Sequence, residues 1–166
     1  MGYVKTTMTG ADLNTFTVDK TAPGTSWGSV YAQFTQRTTD IADASMGLSI
    51  KRELLYDGEL KVGSKVKVRI TITADRDYDF VQVVEKRAAC MEPIKQLTGY
   101  NGRFYCSPRD NATYYYTDMM RKGTHVIENT YYIDRPGTFT TGTCTVQCAY
   151  SPAYMARTKA LTITIK

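Results

Sequence analysis

Three carboxylates at alternate positions, Asp75, Asp77 and Asp79 in ADRDYDF, have the first spacing in this chain that suits chemistry. Side chains two apart on an extended backbone point to one side, and converging oxygens at a strand end suit Ca²⁺. The run has no further acidic or glycine position to complete a coordination shell, and Arg76 sits inside it. The competing expectation is a polar turn between two strands. The four cysteines, Cys90, Cys106, Cys144 and Cys148, contain no C-x-x-C, and His125 is the only histidine, which argues against zinc. Four cysteines allow three pairings, and two disulfides or four buried thiols are both open. Cys144 and Cys148 lie four apart in an extended run, roughly 13 Å, too far to bond each other. His125 has no Ser, Cys or Asp partner that spacing would enforce. G-x-S-x-G, H-E-x-x-H and phosphate-loop patterns are absent. No catalytic residue, cofactor site or enzyme activity is therefore expected.

The elements that would position these residues read as strands. Lys65–Thr73 (KVKVRITIT) alternates strictly, with Val66, Val68, Ile70 and Ile72 on one side and Lys65, Lys67, Arg69 and Thr71 on the other. This is the pattern of a half-buried antiparallel strand. Leu48–Tyr56, Thr113–Thr117 and Ala160–Ile165 are further strands and Phe80–Val84 a buried one, with turns at Asp57-Gly58, Asn101-Gly102 and Met119–Gly123. Two long extended runs, His125–Ile133 and Thr138–Tyr150, face each other across Arg135-Pro136-Gly137. Tyr3–Met8, Thr15–Asp19 and Trp27–Gln36 are weaker strand candidates. Ala88–Leu97 leaves room for one short helix, limited by Pro93. Many short strands with turns between them predict an all-β antiparallel sandwich. A composition shift near residue 40 divides 1–40 from 41–166.

With 166 residues, the chain is long enough for one domain with a substantial core. The 13 tyrosines and abundant threonine suit a β-sheet. A net charge of +5 is spread over separated side chains, so no nucleic-acid partner is expected. No run of 18 apolar residues is present, so no membrane span is expected. The opening MGYVKTTMTG lacks the form of a signal peptide. The expectation is a segment of a longer protein.

A family resemblance rests on several separate motifs. Leu60–Val66 followed by Val68-Arg69-Ile70 resembles the L-x-V-G-D-x-V-x-V-R strand pair of bacterial alpha-2-macroglobulin family proteins. Asp75–Val84 is similar, and Arg87–Pro93 (RAACMEP) resembles the Bacteroidetes form. Tyr100, Arg109-Asp110 and Lys122-Gly123 follow in the family's order. Gly137-Thr138-Phe139 and Val146–Pro152 resemble G-x-Y/F … I/V-Q-C-M-Y-x-P-E. Three positions depart from the pattern: Ser64 replaces an aspartate, Ala149 a methionine and Ala153 a glutamate.

The resemblance implies a macroglobulin-like (immunoglobulin-like) sandwich over 41–166, the C-terminal domain of a large protease-trapping inhibitor. Residues 1–40 would be strands and linker from the end of the preceding domain. The implied location is extracytoplasmic, in periplasm or cell envelope, with the parent a lipoprotein candidate. The implied partners are other domains of the parent chain and, through the parent, target proteases. Tyr150 matches the aromatic that shields the thioester of a neighbouring domain. The exported setting implies oxidised cysteines, with Cys90–Cys148 and Cys106–Cys144 as the expected pairs. A different class, a cell-surface or carbohydrate-binding sandwich, would use an exposed platform of Tyr114, Tyr115 and Tyr116.

Overall fold

The computed structural model describes residues 3–10 and 17–166. The chain forms two units, Met1–Phe34 and Thr35–Lys166, a division six residues before the expected one. In the first unit no described residue lies in a strand, and Val18, Trp27, Tyr31 and Phe34 are exposed. The strands expected at Tyr3–Met8 and Trp27–Gln36 are therefore not formed: an alternating pattern makes a strand only with a neighbour to complete its ladder. Thr15–Asp19 falls partly outside the described residues.

The second unit begins with a 3₁₀ turn at Thr38–Asp40 and is otherwise built of strands. β1 (Ala44–Met46), β2 (Leu48–Leu55), β3 (Lys65–Ala74), β5 (Met91–Pro93) and β9 (Gly123–Ile133) continue through β12 (Met155–Thr158) into β11 (Cys144–Cys148), β4 (Tyr78–Lys86), β8 (Ala112–Met120), β7 (Phe104–Pro108) and β6 (Gly99–Asn101). The hydrogen-bonded order is β5-β9-β3-β2-β1-β12-β11-β4-β8-β7-β6, antiparallel throughout. β10 (Gly137–Thr140) and β13 (Thr162–Ile165) form a separate antiparallel pair.

β3 shows why these residues make this fold. Val66, Val68, Ile70 and Ile72 are all buried, while Lys65, Lys67 and Thr73 face outward. Each buried Val or Ile contributes about 2 kcal/mol of transfer free energy. Ile127, Tyr131 and Ile133 of β9, Val81 and Val83 of β4, and Val146 of β11 join the same core.

Two expectations are corrected. The run Thr138–Tyr150 is not one strand facing β9. Thr141 turns away, with its N–H donating to Leu161 O at 2.8 Å and its hydroxyl accepting from Leu161 N at 2.9 Å. That divides the run into β10, which pairs with β13, and β11, which pairs with β4 and β12. Ala88–Leu97 is not helical: Met91–Pro93 pairs with Tyr131–Ile133, so tertiary pairing overrides the weak local preference.

A polar network lies inside the sandwich. Glu85 is fully buried and accepts a hydrogen bond from Tyr131 Oη at 2.7 Å. Asn129 donates to the same Tyr131 hydroxyl at 3.0 Å, and Thr113 lies 3.1 Å from it. Arg52 Nη1 is 3.9 Å from Glu85 Oε1, an atom with no hydrogen-bond partner. Desolvation raises the Glu85 pKa above the ordinary carboxylate value, against the opposing pull of Tyr131 and Arg52. For a carboxyl whose folded pKa is raised, stability is fully present below the unfolded value and falls as pH rises through the folded one. Relative to Glu85→Gln, the natural chain should lose stability as pH rises from about 4.5. Urea unfolding of both proteins across pH measures it, and parallel curves would exclude a raised pKa.

Candidate interface at the aromatic end of the sandwich

The turns after β1, β3, β8 and β11 gather at one end of the sandwich, as the registers Met46↔Met155, Ala74↔Gly123 and Asp79↔Met119 require. Tyr150, on the β11–β12 turn, is 80% exposed. The turn that carries it is tied down on all sides. Ala149 N donates to Phe80 O at 2.8 Å, Cys148 N to Tyr154 O at 3.1 Å, Tyr154 N to Ser151 O at 2.9 Å, and Gln147 Nε2 to Pro152 O at 3.0 Å. The Phe80 ring meets Tyr150 edge-on, with centroids 5.2 Å apart and planes at 90°, a favourable aromatic geometry.

Phe80, expected to open a buried strand, is instead half exposed, and its backbone explains why. Its φ is +53°, a left-handed value that costs about 1–2 kcal/mol for a residue with a side chain. It faces Asp118 without pairing, while Asp79↔Met119 and Val81↔Thr117 pair on either side. Tyr78 and Val81 both point inward as a result, and Phe80 is turned out, half exposed. Such a break in the pleat re-aims a side chain. The adjacent Phe80 and Val81 were the available signal, since two neighbouring apolar residues cannot both face one core in a regular strand. Met46 and Met119 are also exposed at this end.

A second aromatic group braces the turn from below. Tyr78 and Tyr154 have ring centroids 5.4 Å apart, and the Arg76 guanidinium lies 5.4 Å from the Tyr154 centroid. Asp75 accepts bonds from Arg76 at 3.1 and 3.0 Å and from Tyr78 Oη at 2.6 Å. The Arg76 hydrogen bonds, then that of Tyr78, hold its pKa down to about 2. Burial, then the Asp75 hydrogen bond, pushes the Tyr78 phenol up to about 12.

Of the two expectations for the aspartates, calcium and a polar turn, this geometry is that of the turn. Asp75 is taken up by Arg76 and Tyr78, whereas Asp77 accepts from Arg121 and from Lys122 N, both at 2.7 Å. The run is a turn and not one extended strand, so Asp75, Asp77 and Asp79 do not converge, and no metal-ligating cluster occurs among the described residues. The His125 ring lies 2.7 Å from Arg121 O.

The expected disulfides are likewise not formed, and all four cysteines are free and buried. Cys106 on β7 and Cys144 on β11 have β8 and β4 between them, a separation of about 14 Å. Cys148 stands opposite Val81, whereas Cys90 follows the far end of β4, about 16 Å along the strand. The Cys148 thiol donates to Asp79 O at 3.1 Å. Burial raises the thiol pKa values of Cys90, Cys106 and Cys144, which slows oxidation.

The tyrosine platform also changes. Tyr115 is buried in the core, while Tyr114 and Tyr116 stack on the outer face with planes 9° apart. Tyr116 pairs across to Tyr105, which pairs to Tyr100, so the exposed strip keeps Tyr116 of the expected platform, loses the buried Tyr115 and extends to Tyr105 and Tyr100.

The all-β antiparallel sandwich has a macroglobulin-like (immunoglobulin-like) fold. The model of the bacterial alpha-2-macroglobulin MG10 domain matches residues 33–153, and the chain belongs to that family. No curated protein sequence matches significantly. The fold is similar to that of Salmonella alpha-2-macroglobulin reacted with methylamine, at 20% identity and TM-score 0.66, over 76% of this chain and 10% of that one. It is also similar to trypsin-activated alpha-2-macroglobulin from Escherichia coli, at 16% identity and TM-score 0.68, over 76% of this chain and 11% of that one. The chain thus spans about a tenth of the length of these solved proteins. Among the described residues no helix is long and apolar enough to cross a membrane.

Proposed function

We propose that this chain is the C-terminal, non-catalytic interaction domain of an exported alpha-2-macroglobulin-like protease trap of Bacteroidetes type, and that it docks on the thioester-bearing domain through Tyr150. Residues 1–40 are the end of the preceding domain, and the parent is a periplasmic or envelope protein that captures proteases. The observation that carries this reading is an 80% exposed Tyr150, held edge-on by an exposed Phe80 of strained backbone. Strain and exposed aromatic surface are not explained by the domain's own packing, and both mark interaction sites. A thioester persists only where water is kept away. Ala149 supplies a methyl group where the family has a long thioether, so the shield rests on the Phe80–Tyr150 pair.

The test is thiol release from the full-length parent on exposure to methylamine. Tyr150→Ala should accelerate release about tenfold, or 1.4 kcal/mol of barrier. Phe80→Gly removes the ring and relieves the left-handed strain, so stability should change by no more than about 1 kcal/mol. Its release rate should fall between the two. Equal rates in all three proteins would overturn the shield. The exposed strip of Tyr100, Tyr105 and Tyr116 favours a second reading, glycan binding, for which Tyr105→Ala should abolish retention on a glycan array.

A further inference from the structure

We propose that the free edge of β9 is a strand-addition site for an extended polypeptide segment bearing carboxylates. Ile133 N donates to Ser64 O at 2.9 Å, and Ile133 O accepts from Gly63 N at 2.8 Å. Odd-numbered residues of β9 therefore direct their backbone groups toward β3, and even-numbered ones toward the other side. On that other side β5 covers only Tyr131–Ile133, and Ile94 N adds one bond to Thr130 O at 3.0 Å. The Thr130 N–H is already satisfied by Asn129 Oδ1 at 3.0 Å. Thr124, Val126 and Glu128 are left with N–H and C=O groups facing outward and no strand beside them among the described residues. An unpaired row of this kind is a template for another strand.

The row opens into a cleft of about 700 Å³, closed on the opposite side by the β6–β7 hairpin. Arg103 enters from that hairpin, and Arg121 and Lys122 from the β8–β9 turn. Glu128 is the cleft's carboxylate, and Arg69 and Lys67 neutralise it at 2.7 and 3.3 Å. Arg121 pairs with Asp77, whereas Arg103 and Lys122 have no ion-pair partner among the described residues. The cleft therefore carries uncompensated positive charge beside unmet backbone donors and acceptors. A second copy of this chain would bring the same cations against each other. A carboxylate-bearing segment matches both features.

The probe is a fluorescent octapeptide of alternating glutamate and threonine, titrated against the whole chain at low salt and followed by anisotropy. Binding is expected, with slowed amide exchange at Val126 and Glu128. Alternating lysine and threonine should bind at least about tenfold more weakly. Val126→Pro removes an outward N–H without touching a bond to β3, a position where an edge strand tolerates proline. It should fold and bind about tenfold more weakly, as should the glutamate peptide N-methylated at alternate residues. The N-methylated peptide decides the matter even where Val126→Pro fails to fold. Unchanged affinity for the N-methylated peptide, absence of binding, or a β9-mediated dimer of the chain alone would overturn the proposal.

Discussion

Arg52→Met is expected to lower the unfolding free energy by about 4 kcal/mol, the range for removing one member of a buried charged network. The effect follows from what the guanidinium holds, more than from its ion pair. Nη1 donates to Lys86 O at 3.1 Å. Around Nη2 stand Thr141 Oγ1, Gly142 O and Lys159 O at 2.9, 2.8 and 3.1 Å. Arg52 thus ties the end of β4 to the β10–β11 and β12–β13 connections. Methionine keeps most of the aliphatic packing but supplies no donor. Each buried acceptor left bare costs about 1–3 kcal/mol. Arg52→Lys should be intermediate, because one ammonium cannot reach four acceptors in a planar fork. Differential scanning calorimetry should show Tm lower by about 8–16 °C for Arg52→Met. A loss within about 2 °C would mean that water reaches these carbonyls and replaces the donors. The 3.9 Å approach to Glu85 is a lesser contribution, testable by adding Glu85→Gln: the double variant should be close to additive.

How far the fold was legible follows from which residues carried periodicity. β3 could be read residue by residue because Val66 to Ile72 alternate without interruption and the pleat has the same period. The antiparallel sandwich followed from many such runs, although Ala88–Leu97 left room for a helix that the pairing of Met91–Pro93 with β9 replaces. What the sequence did not disclose was pairing. Nothing in Thr138–Tyr150 says that Thr141 bonds Leu161 and splits the run, since that contact is set by residues twenty positions later. The weak runs before residue 40 illustrate the converse, a strand pattern with no described partner. At the candidate site, Tyr150 was visible only through a motif. Phe80 was missed because the Phe80-Val81 pair shows only that one of the two must turn out, and which one is set by a backbone angle. For the aspartates the polar turn, and not the calcium site, is what forms: equal spacing implies convergence only in a straight strand, and Asp75–Asp77 turn a corner.

Gly47→Ala is expected to cost about 3 kcal/mol, combining left-handed strain with overpacking. Gly47 joins β1 to β2 at φ +70°, and a Cβ there would overlap the Tyr78 hydroxyl and come within 2.9 Å of the Tyr154 ring. Gly58 provides the control, with φ +65° and open space around it. Gly58→Ala should cost only the strain, about 1 kcal/mol. The difference between the two variants measures the crowding alone. The consequences of that crowding reach the aromatic end. Tyr78 must move to admit the methyl group, which breaks its 2.6 Å bond to Asp75 and loosens the ring beneath Tyr154. The Tyr78 phenol, held up to about 12 by burial and by Asp75, should then titrate nearer its ordinary value of 10.0, as ultraviolet absorbance at rising pH would record. Tyr78→Phe in the Gly47→Ala background removes the overlapping oxygen and should restore part of the loss. If Gly47→Ala and Gly58→Ala cost the same and the phenol is unmoved, the Tyr78–Tyr154 layer yields freely. It then cannot be what fixes the turn that presents Tyr150.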